Sequence, residues 1–226
     1  MRTSRVASEW VVFGFTILLI GYQINLAKTI PSQSLRLSDG VPPDAGAYYL
    51  WVWLMPILLW CVYQGISFAD LSNDFHLYQL YRYRRITTYW LKRLEISALE
   101  TLAGMGLYQI AFNSVVHQRI DFSYTLADLN WLATTITIVV LLFTLCLLLN
   151  PLYAVLVVFA LLLVGTAVIP DTLIRSITEG IRGLMVFRLN APLSRSFFEN
   201  LILIAICLIV IMFFGRKLDI GGKKQR

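Results

Sequence analysis

The chain has few charged residues for a protein of 226 residues. Asp, Glu, Lys and Arg make up 14% of the sequence, whereas a soluble domain carries about 25%. Hydrophobic residues make up 58%. So little charge excludes an ordinary soluble domain and indicates an integral membrane protein. Because no polar stretch is long enough to enclose a separate soluble core, we expect a single transmembrane domain over residues 1–226.

The chain also lacks the motifs of most catalytic and metal sites. It contains no G-x-x-x-x-G-K-[ST], G-x-S-x-G, H-E-x-x-H or C-x-x-C sequence. The histidines, His76 and His117, fall on predicted opposite sides of the membrane, which argues against a shared site. The three cysteines lie far apart inside apolar runs and form no disulfide framework. We therefore expect no catalytic residue, no metal and no cofactor on this chain, and we do not expect an enzyme.

Most of the sequence consists of apolar stretches that are about long enough to cross a bilayer. They are residues 10–27, 48–69, 96–116, 129–149, 151–169 and 197–215. The first is interpreted as an uncleaved span, since no small-x-small cleavage site follows it. The fourth and fifth are separated only by Asn150-Pro151, where we predict a tight turn, because one helix across both would be about 60 Å long. The predicted fold is all-α and polytopic, with six transmembrane helices.

The basic residues indicate how these spans are oriented. They are more frequent on one side, as expected for cytoplasmic connections. Both termini are therefore predicted in the cytoplasm, in the cell membrane and most simply the plasma membrane of a bacterium. Topology and anionic lipid account for the net charge of +6, so no nucleic-acid partner is expected.

The connection between the second and third spans combines basic and aromatic residues. Stretch 76–100 reads HLYQLYRYRRITTYWLKRLEISALE. A basic-aromatic connection of this kind can simply fix topology and bind anionic lipid. It can also present a helix to a partner in the cytosol.

The sequence of stretch 76–100 resembles that of the corresponding connection in ABC-2-type permeases. The resemblance is carried by Arg82-Tyr83-Arg84-Arg85 after a tyrosine-rich segment, and by Trp90-Leu91-Lys92-Arg93-Leu94 opening a helix. In that family the connection contains a coupling helix that docks on a cytosolic ATPase, which binds ATP and Mg²⁺. The resemblance implies a docking role for a set of five residues: Tyr81, Arg82, Arg84, Arg85 and Trp90.

The third span carries a polar face. At 100° per residue, one side of the helix gathers Ser97, Glu100, Thr101, Gly104 and Tyr108. Such a face does not tolerate lipid, so we expect it to pack against other helices or to line a hydrated path. In a permease dimer, Ser97, Glu100, Thr101 and Tyr108 would face the dimer interior. Alternatively, Glu100 pairs with a basic residue of the preceding connection.

The segment between the last two spans predicts an amphipathic helix. Arg175, Glu179 and Arg182 share one helical face, and apolar residues from Leu173 to Leu184 share another. ABC-2-type exporters similarly place short re-entrant helices there, and an ordinary interfacial helix fits equally well.

These expectations lead to one principal hypothesis and one alternative. The first is a permease subunit of an ATP-driven exporter, acting with a separate ATPase and with a second copy or a related permease. The resemblance to ABC-2-type permeases favours a peptide as the substrate, with a lipid or a drug as the alternatives. The alternative is a non-transporting scaffold or immunity-type membrane protein that binds a partner or lipid. It would need no polar face in the third span.

Overall fold

Five helices form the described part of the protein. The structure, a computed structural model, describes Gly21 and residues 47–69, 86–116, 125–166 and 193–223. The helices are α1 (Ala47–Ala69), α2 (Ile86–Val116), α3 (Leu126–Leu148), α4 (Pro151–Thr166) and α5 (Leu193–Lys223). The expected all-α class is confirmed for these residues.

Two of these helices contain a stretch long and apolar enough to cross a membrane. They are Leu126–Leu148 in α3 and Phe197–Phe214 in α5. Leu54–Ala69 and Pro151–Leu163 are apolar but shorter. These features indicate membrane association. Apart from Gly21, the predicted first span lies outside the described residues, as does the predicted amphipathic helix within 170–196.

The turn predicted between the fourth and fifth spans is confirmed. Helix α3 ends at Leu148 and α4 begins at Pro151. The side-chain oxygen of Asn150 accepts a hydrogen bond from the backbone N–H of Leu152 at 3.1 Å, as an N-cap residue does. Pro151 occupies the first helical position, where a missing N–H leaves no bond unmade.

Three helices continue beyond the predicted spans. Helix α2 begins at Ile86, before the predicted span 96–116, and includes Trp90, which was predicted to lie where a helix opens. Helix α5 likewise extends beyond 197–215 at both ends, and its apolar stretch Phe197–Phe214 agrees with that predicted span. Hydrophobicity marks the part of a helix that can lie in lipid, and polar residues can continue the same helix beyond it.

The start of α3 is the third such case. The predicted span began at residue 129, whereas α3 begins at Leu126 and includes Asp128. Thr125 and Asp128 form a capping box, in which the Thr125 hydroxyl accepts from the Asp128 N–H at 3.2 Å and the Asp128 carboxylate accepts from the Thr125 N–H at 2.7 Å. These bonds fix the first turn and draw Asp128 into the fold.

Helix α3 is the centre of the bundle. It packs against each of the other four helices. Its side chains Trp131, Val139, Leu142 and Phe143 are almost completely buried. Helix α5 instead buries one stripe, which includes Cys207 and Ile211, and exposes most of its other apolar side chains.

Candidate functional site

Hydrogen bonds between polar side chains connect α1 to α2. The Ser97 hydroxyl donates to the Gln64 side-chain oxygen at 2.7 Å, and the Trp60 indole N–H donates to the Thr101 hydroxyl at 3.0 Å. Thr101 in turn donates to the backbone oxygen of Ser97 at 2.7 Å. Ser97, Thr101 and Gln64 are all buried. Ser97 and Thr101, two of the predicted site residues, thus contact another helix of the same chain.

Gly104 leaves room for the Trp60 side chain, which reaches from α1 to α2. A Cβ atom at this position would lie 2.5 Å from the outer ring carbon Cη2 of Trp60. Only a residue without a side chain leaves room for the indole ring that reaches Thr101.

Glu100 lies at the edge of the same contact. Its carboxylate accepts a hydrogen bond of 3.5 Å from the Gln64 amide, while the Glu100 side chain is exposed. The neighbouring exposed residues on α2, Leu99 and Leu107 among them, are apolar. The structure thus joins Ser97 and Glu100 to Gln64, a residue that the sequence analysis did not single out, and joins Thr101 to Trp60.

Tyr108 is buried farther along α2. Its ring lies against Phe112, with the ring centroids 6.5 Å apart. The role assigned to Ser97, Glu100, Thr101 and Tyr108 in a dimer interior stays a prediction.

Trp90 is the one predicted docking residue within the described part of the chain. Tyr81, Arg82, Arg84 and Arg85 lie outside it. The Trp90 ring is half-buried and meets the ring of Phe143 on α3 at a centroid distance of 6.0 Å and an angle of 65°. Its buried Nε1 has no hydrogen-bond partner among the residues that the structure describes. Trp90 therefore joins the base of α2 to α3.

A second polar contact, missed by the sequence analysis, joins α2 to α3 at their other ends. The fully buried Asp128 carboxylate accepts from the Gln109 amide at 2.7 Å and from the Thr125 hydroxyl at 2.8 Å, in addition to the Thr125 N–H. Hydrogen bonds to an ionised carboxylate are stronger than neutral ones. The pattern T-x-x-D at 125–128 is the sequence signal that indicates this capping arrangement.

A third contact links α3 to α5. The Asn200 amide donates to the Thr134 hydroxyl at 3.0 Å, and Thr134 donates to the backbone oxygen of Asn130 at 2.9 Å. Within the described part of the chain, both side-chain polar atoms of Asn130 and the Asn200 side-chain oxygen are buried without a hydrogen-bond partner. Water commonly satisfies such groups. This region can therefore hydrogen-bond water or a polar ligand.

None of these contacts resembles a metal site. The described residues contain no group of three or more His, Cys, Asp or Glu side chains able to hold a metal ion. The chemistry they support is hydrogen bonding between helices and with water.

Comparisons with protein-family models, with curated proteins and with solved structures each found no match for this chain.

Proposed function

We propose that the chain is a membrane-spanning subunit of an ATP-driven exporter, similar to the ABC-2-type permeases that stretch 76–100 resembles. It would cross the membrane six times with both termini in the cytoplasm. A separate cytosolic ATPase would supply ATP hydrolysis, and a second copy or a related permease would complete the pathway. A peptide is the proposed substrate class.

The observation that carries the proposal is the unbroken length of α2. Its 31 residues span about 46 Å at 1.5 Å per residue, whereas the hydrocarbon core is about 30 Å thick. In the proposed topology part of α2 would therefore extend beyond the hydrocarbon, and its first residue directly follows Arg84-Arg85. A force applied to this basic segment would reach the Ser97 and Thr101 contacts through one continuous helix.

The contacts of α2 suit such a transmitted movement. At its base, Trp90 meets Phe143, so displacement of α2 also acts on α3. Higher up, Ser97 and Thr101 are joined to α1 by neutral hydrogen bonds. A neutral bond contributes a net of about 0.5–1.5 kcal/mol because water can replace it. Movement of α2 away from α1 would therefore expose Ser97, Thr101 and Gln64 to a hydrated path at small cost.

Co-purification with an ATPase tests this proposal. The tagged chain is purified from its host membrane, a co-purifying P-loop ATPase is identified by mass spectrometry, and complex formation and ATP hydrolysis are measured with that ATPase in proteoliposomes. We expect a stable complex whose hydrolysis responds to substrate. A chain that inserts normally but binds no ATPase would contradict the proposal and favour the scaffold or immunity-type alternative.

Substitutions in the basic segment separate docking from lipid binding. Tyr81→Ala keeps every charge and should reduce complex formation at least tenfold, because a docked aromatic side chain contributes through shape. Arg84→Lys with Arg85→Lys keeps the charge but loses the bidentate guanidinium, and should also weaken docking. Arg84→Gln with Arg85→Gln removes the charge at the same positions and is the comparison. If only removal of charge has an effect, the segment is a lipid anchor.

Cysteine accessibility tests the topology. Ser34→Cys and Gln225→Cys are introduced separately into a chain whose native cysteines have been replaced. Six spans place these positions on opposite sides, so a membrane-impermeant maleimide added to intact cells should label the first and not the second. Labelling of both from one side would rule out the six-span topology.

A further inference from the structure

An exposed carboxylate lies on an apolar face of α2. Glu100 is exposed and stands near the middle of this 31-residue helix. Three apolar residues share its face, Ile96 one turn before it, and Ala103 and Leu107 one and two turns after it. All three are exposed, and Leu107 is 67% exposed. A single acidic side chain thus interrupts an apolar surface on the outside of the bundle.

The Glu100 carboxylate has spare hydrogen-bonding capacity. It accepts one bond, of 3.5 Å, from the Gln64 amide. The Gln64 side-chain oxygen accepts from the Ser97 hydroxyl at 2.7 Å, which fixes the orientation of the amide that donates to Glu100. Because an ionised carboxylate offers about four acceptor positions, most of them are open to a ligand.

No basic side chain in the described part of the chain neutralises this carboxylate. Among those residues, the bond from Gln64 is its one polar contact. The basic residues that precede it on α2, Lys92 and Arg93, lie about 10–12 Å away along the helix axis at 1.5 Å per residue. A charge beside apolar groups is unfavourable when it is unpaired. A cation that lies against it is attracted more strongly than in water, because the local dielectric constant is lower.

The surroundings of Glu100 specify the chemistry of the ligand. An acyl chain would cover the apolar side chains but offers neither a donor nor a positive charge to the carboxylate. A hydrated metal ion would satisfy the carboxylate but would leave Leu99 and Leu107 uncovered. An organic cation that carries its charge on an apolar body complements both parts of this face.

We propose that this face of α2 is a binding site for a small lipophilic organic cation. The positive charge lies against the Glu100 carboxylate, and the apolar body contacts Ile96, Leu99 and Leu107. The depth of the site in the membrane rests on the proposed function and its topology, whereas the exposed carboxylate and its apolar neighbours do not.

Binding of tetraphenylphosphonium tests the site. The full-length chain is placed in nanodiscs of phosphatidylcholine, which has no net charge, and binding of the tritiated cation is measured by equilibrium dialysis. Nanodiscs without protein correct for partitioning into lipid. We expect a single saturable site for the cation and none for tetraphenylborate, an anion of similar size and shape. No ATPase is present, so a failure to bind the cation and a failure to bind an ATPase are separate results.

Carboxylate variants identify the anionic group. Glu100→Gln keeps the size of the side chain and removes its charge, so the affinity for the cation should fall at least about tenfold. Glu100→Asp keeps the charge and should retain most of the affinity. Glu95→Gln is the matched control, because Glu95 is an exposed carboxylate on a different face of the same helix. It should leave the affinity unchanged.

A pair of leucine variants tests the apolar part of the site. Leu107→Ser removes an apolar contact without changing the charge, so it should weaken binding several-fold. Leu102→Ser is the matched control, because Leu102 is also exposed but lies on the other side of α2. It should bind the cation as wild type does.

The proposal is overturned if tetraphenylphosphonium shows no saturable binding, or if tetraphenylborate binds as tightly. It is also overturned if Glu100→Gln behaves like Glu95→Gln, or Leu107→Ser like Leu102→Ser.

Disulfide cross-linking tests whether a second copy covers this face instead. Glu100→Cys is introduced into a chain whose native cysteines have been replaced, and oxidation is induced in native membranes. A disulfide that joins most chains in pairs would place a second copy over Glu100 and overturn the proposal. Chains that stay unlinked agree with a face that is open to the cation.

Discussion

The two ends of the α2–α3 pair are held together by different kinds of contact. At the Asp128 end, a fully buried carboxylate accepts three hydrogen bonds of 2.7–2.8 Å from Gln109 and Thr125. At the Trp90 end, the contact with Phe143 is an edge-to-face aromatic pair beside a cavity, with an unpartnered indole N–H among the described residues. The same two helices are thus fixed by polar contacts at one end and loosely packed at the other.

This difference indicates where the pair can move. Separating α2 from α3 at this end breaks the Gln109–Asp128 hydrogen bond, while the two Thr125 bonds stay within the α3 capping box, and leaves the buried Gln109 amide and the Asp128 oxygen unsatisfied at about 1–3 kcal/mol each. An aromatic pair contributes about 0.5–1.5 kcal/mol beyond its buried area, and free space is already present beside it. The Asp128 end therefore acts as the pivot in the proposed movement, and the Trp90 end is the part that shifts.

Removal of the Asp128 carboxylate should have the largest effect on stability. Asp128→Ala leaves the Gln109 amide and the Thr125 N–H without their acceptor and destroys the capping box, so we expect a loss of about 3 kcal/mol in the free energy of unfolding. SDS titration in mixed micelles measures it. Glu95→Ala, at an exposed carboxylate of α2, is the control and should leave the unfolding midpoint unchanged. A loss below about 1 kcal/mol for Asp128→Ala would mean that this end is not the tightly held one.

A side chain at Gly104 should have the next largest effect. The Cβ of Gly104→Ala would meet the Trp60 ring at 2.5 Å, so the ring must move away from Thr101. We expect a loss of about 1–3 kcal/mol in the free energy of unfolding, the usual cost of overpacking. Gly21→Ala is the matched control, because Gly21 is helical and no described atom lies within 4 Å of the added Cβ. An equal response of the two variants would show that Trp60 does not press on Gly104.

The elements of this fold that depend on local sequence could be predicted. Composition indicated membrane helices. The sequence Asn150-Pro151, which interrupts a long apolar run, located the boundary between α3 and α4. Helix ends beyond the apolar runs could not be read from hydropathy, because nothing in the apolar count distinguishes a polar loop from a polar helical turn. Asp128 shows this most clearly. Its charge placed it outside the predicted span 129–149, although the T-x-x-D capping pattern at 125–128 indicates the start of a helix.

The polar contacts were predicted only in part. Helical periodicity placed Ser97 and Thr101 on one face of α2, and they do share a contact. Periodicity does not say which helix covers that face, so Gln64 as the partner of Ser97 could not be identified. Asn200 was missed for the same reason, because its bond to Thr134 joins residues 66 positions apart.

A substitution in the α1–α2 contact should have a smaller effect on the free energy of unfolding. Ser97→Ala should cost about 1 kcal/mol, since it removes one neutral hydrogen bond to Gln64. A double-mutant cycle with Gln64→Leu measures the coupling between the two side chains, which we expect to be about 0.5–1 kcal/mol. Thr137→Ala with Gln64→Leu is the comparison pair, because Thr137 bonds only its own helix at Ala133 and should show no coupling. A coupling near zero for Ser97 and Gln64 would mean that water already replaces this bond.

The smallest effect is expected for the indole N–H of Trp90. Trp90→Phe keeps an aromatic ring against Phe143 and removes a donor that has no acceptor among the described residues. Because that donor is unsatisfied, its removal should change the free energy of unfolding by less than about 0.5 kcal/mol in detergent without lipid, whereas Trp90→Ala should cost about 3 kcal/mol through lost packing. The same SDS titration compares both variants with Asp128→Ala. A Trp90→Phe variant that is as unstable as Asp128→Ala would show that the indole N–H is already bonded within the protein, and that both ends of the α2–α3 pair are held by polar contacts.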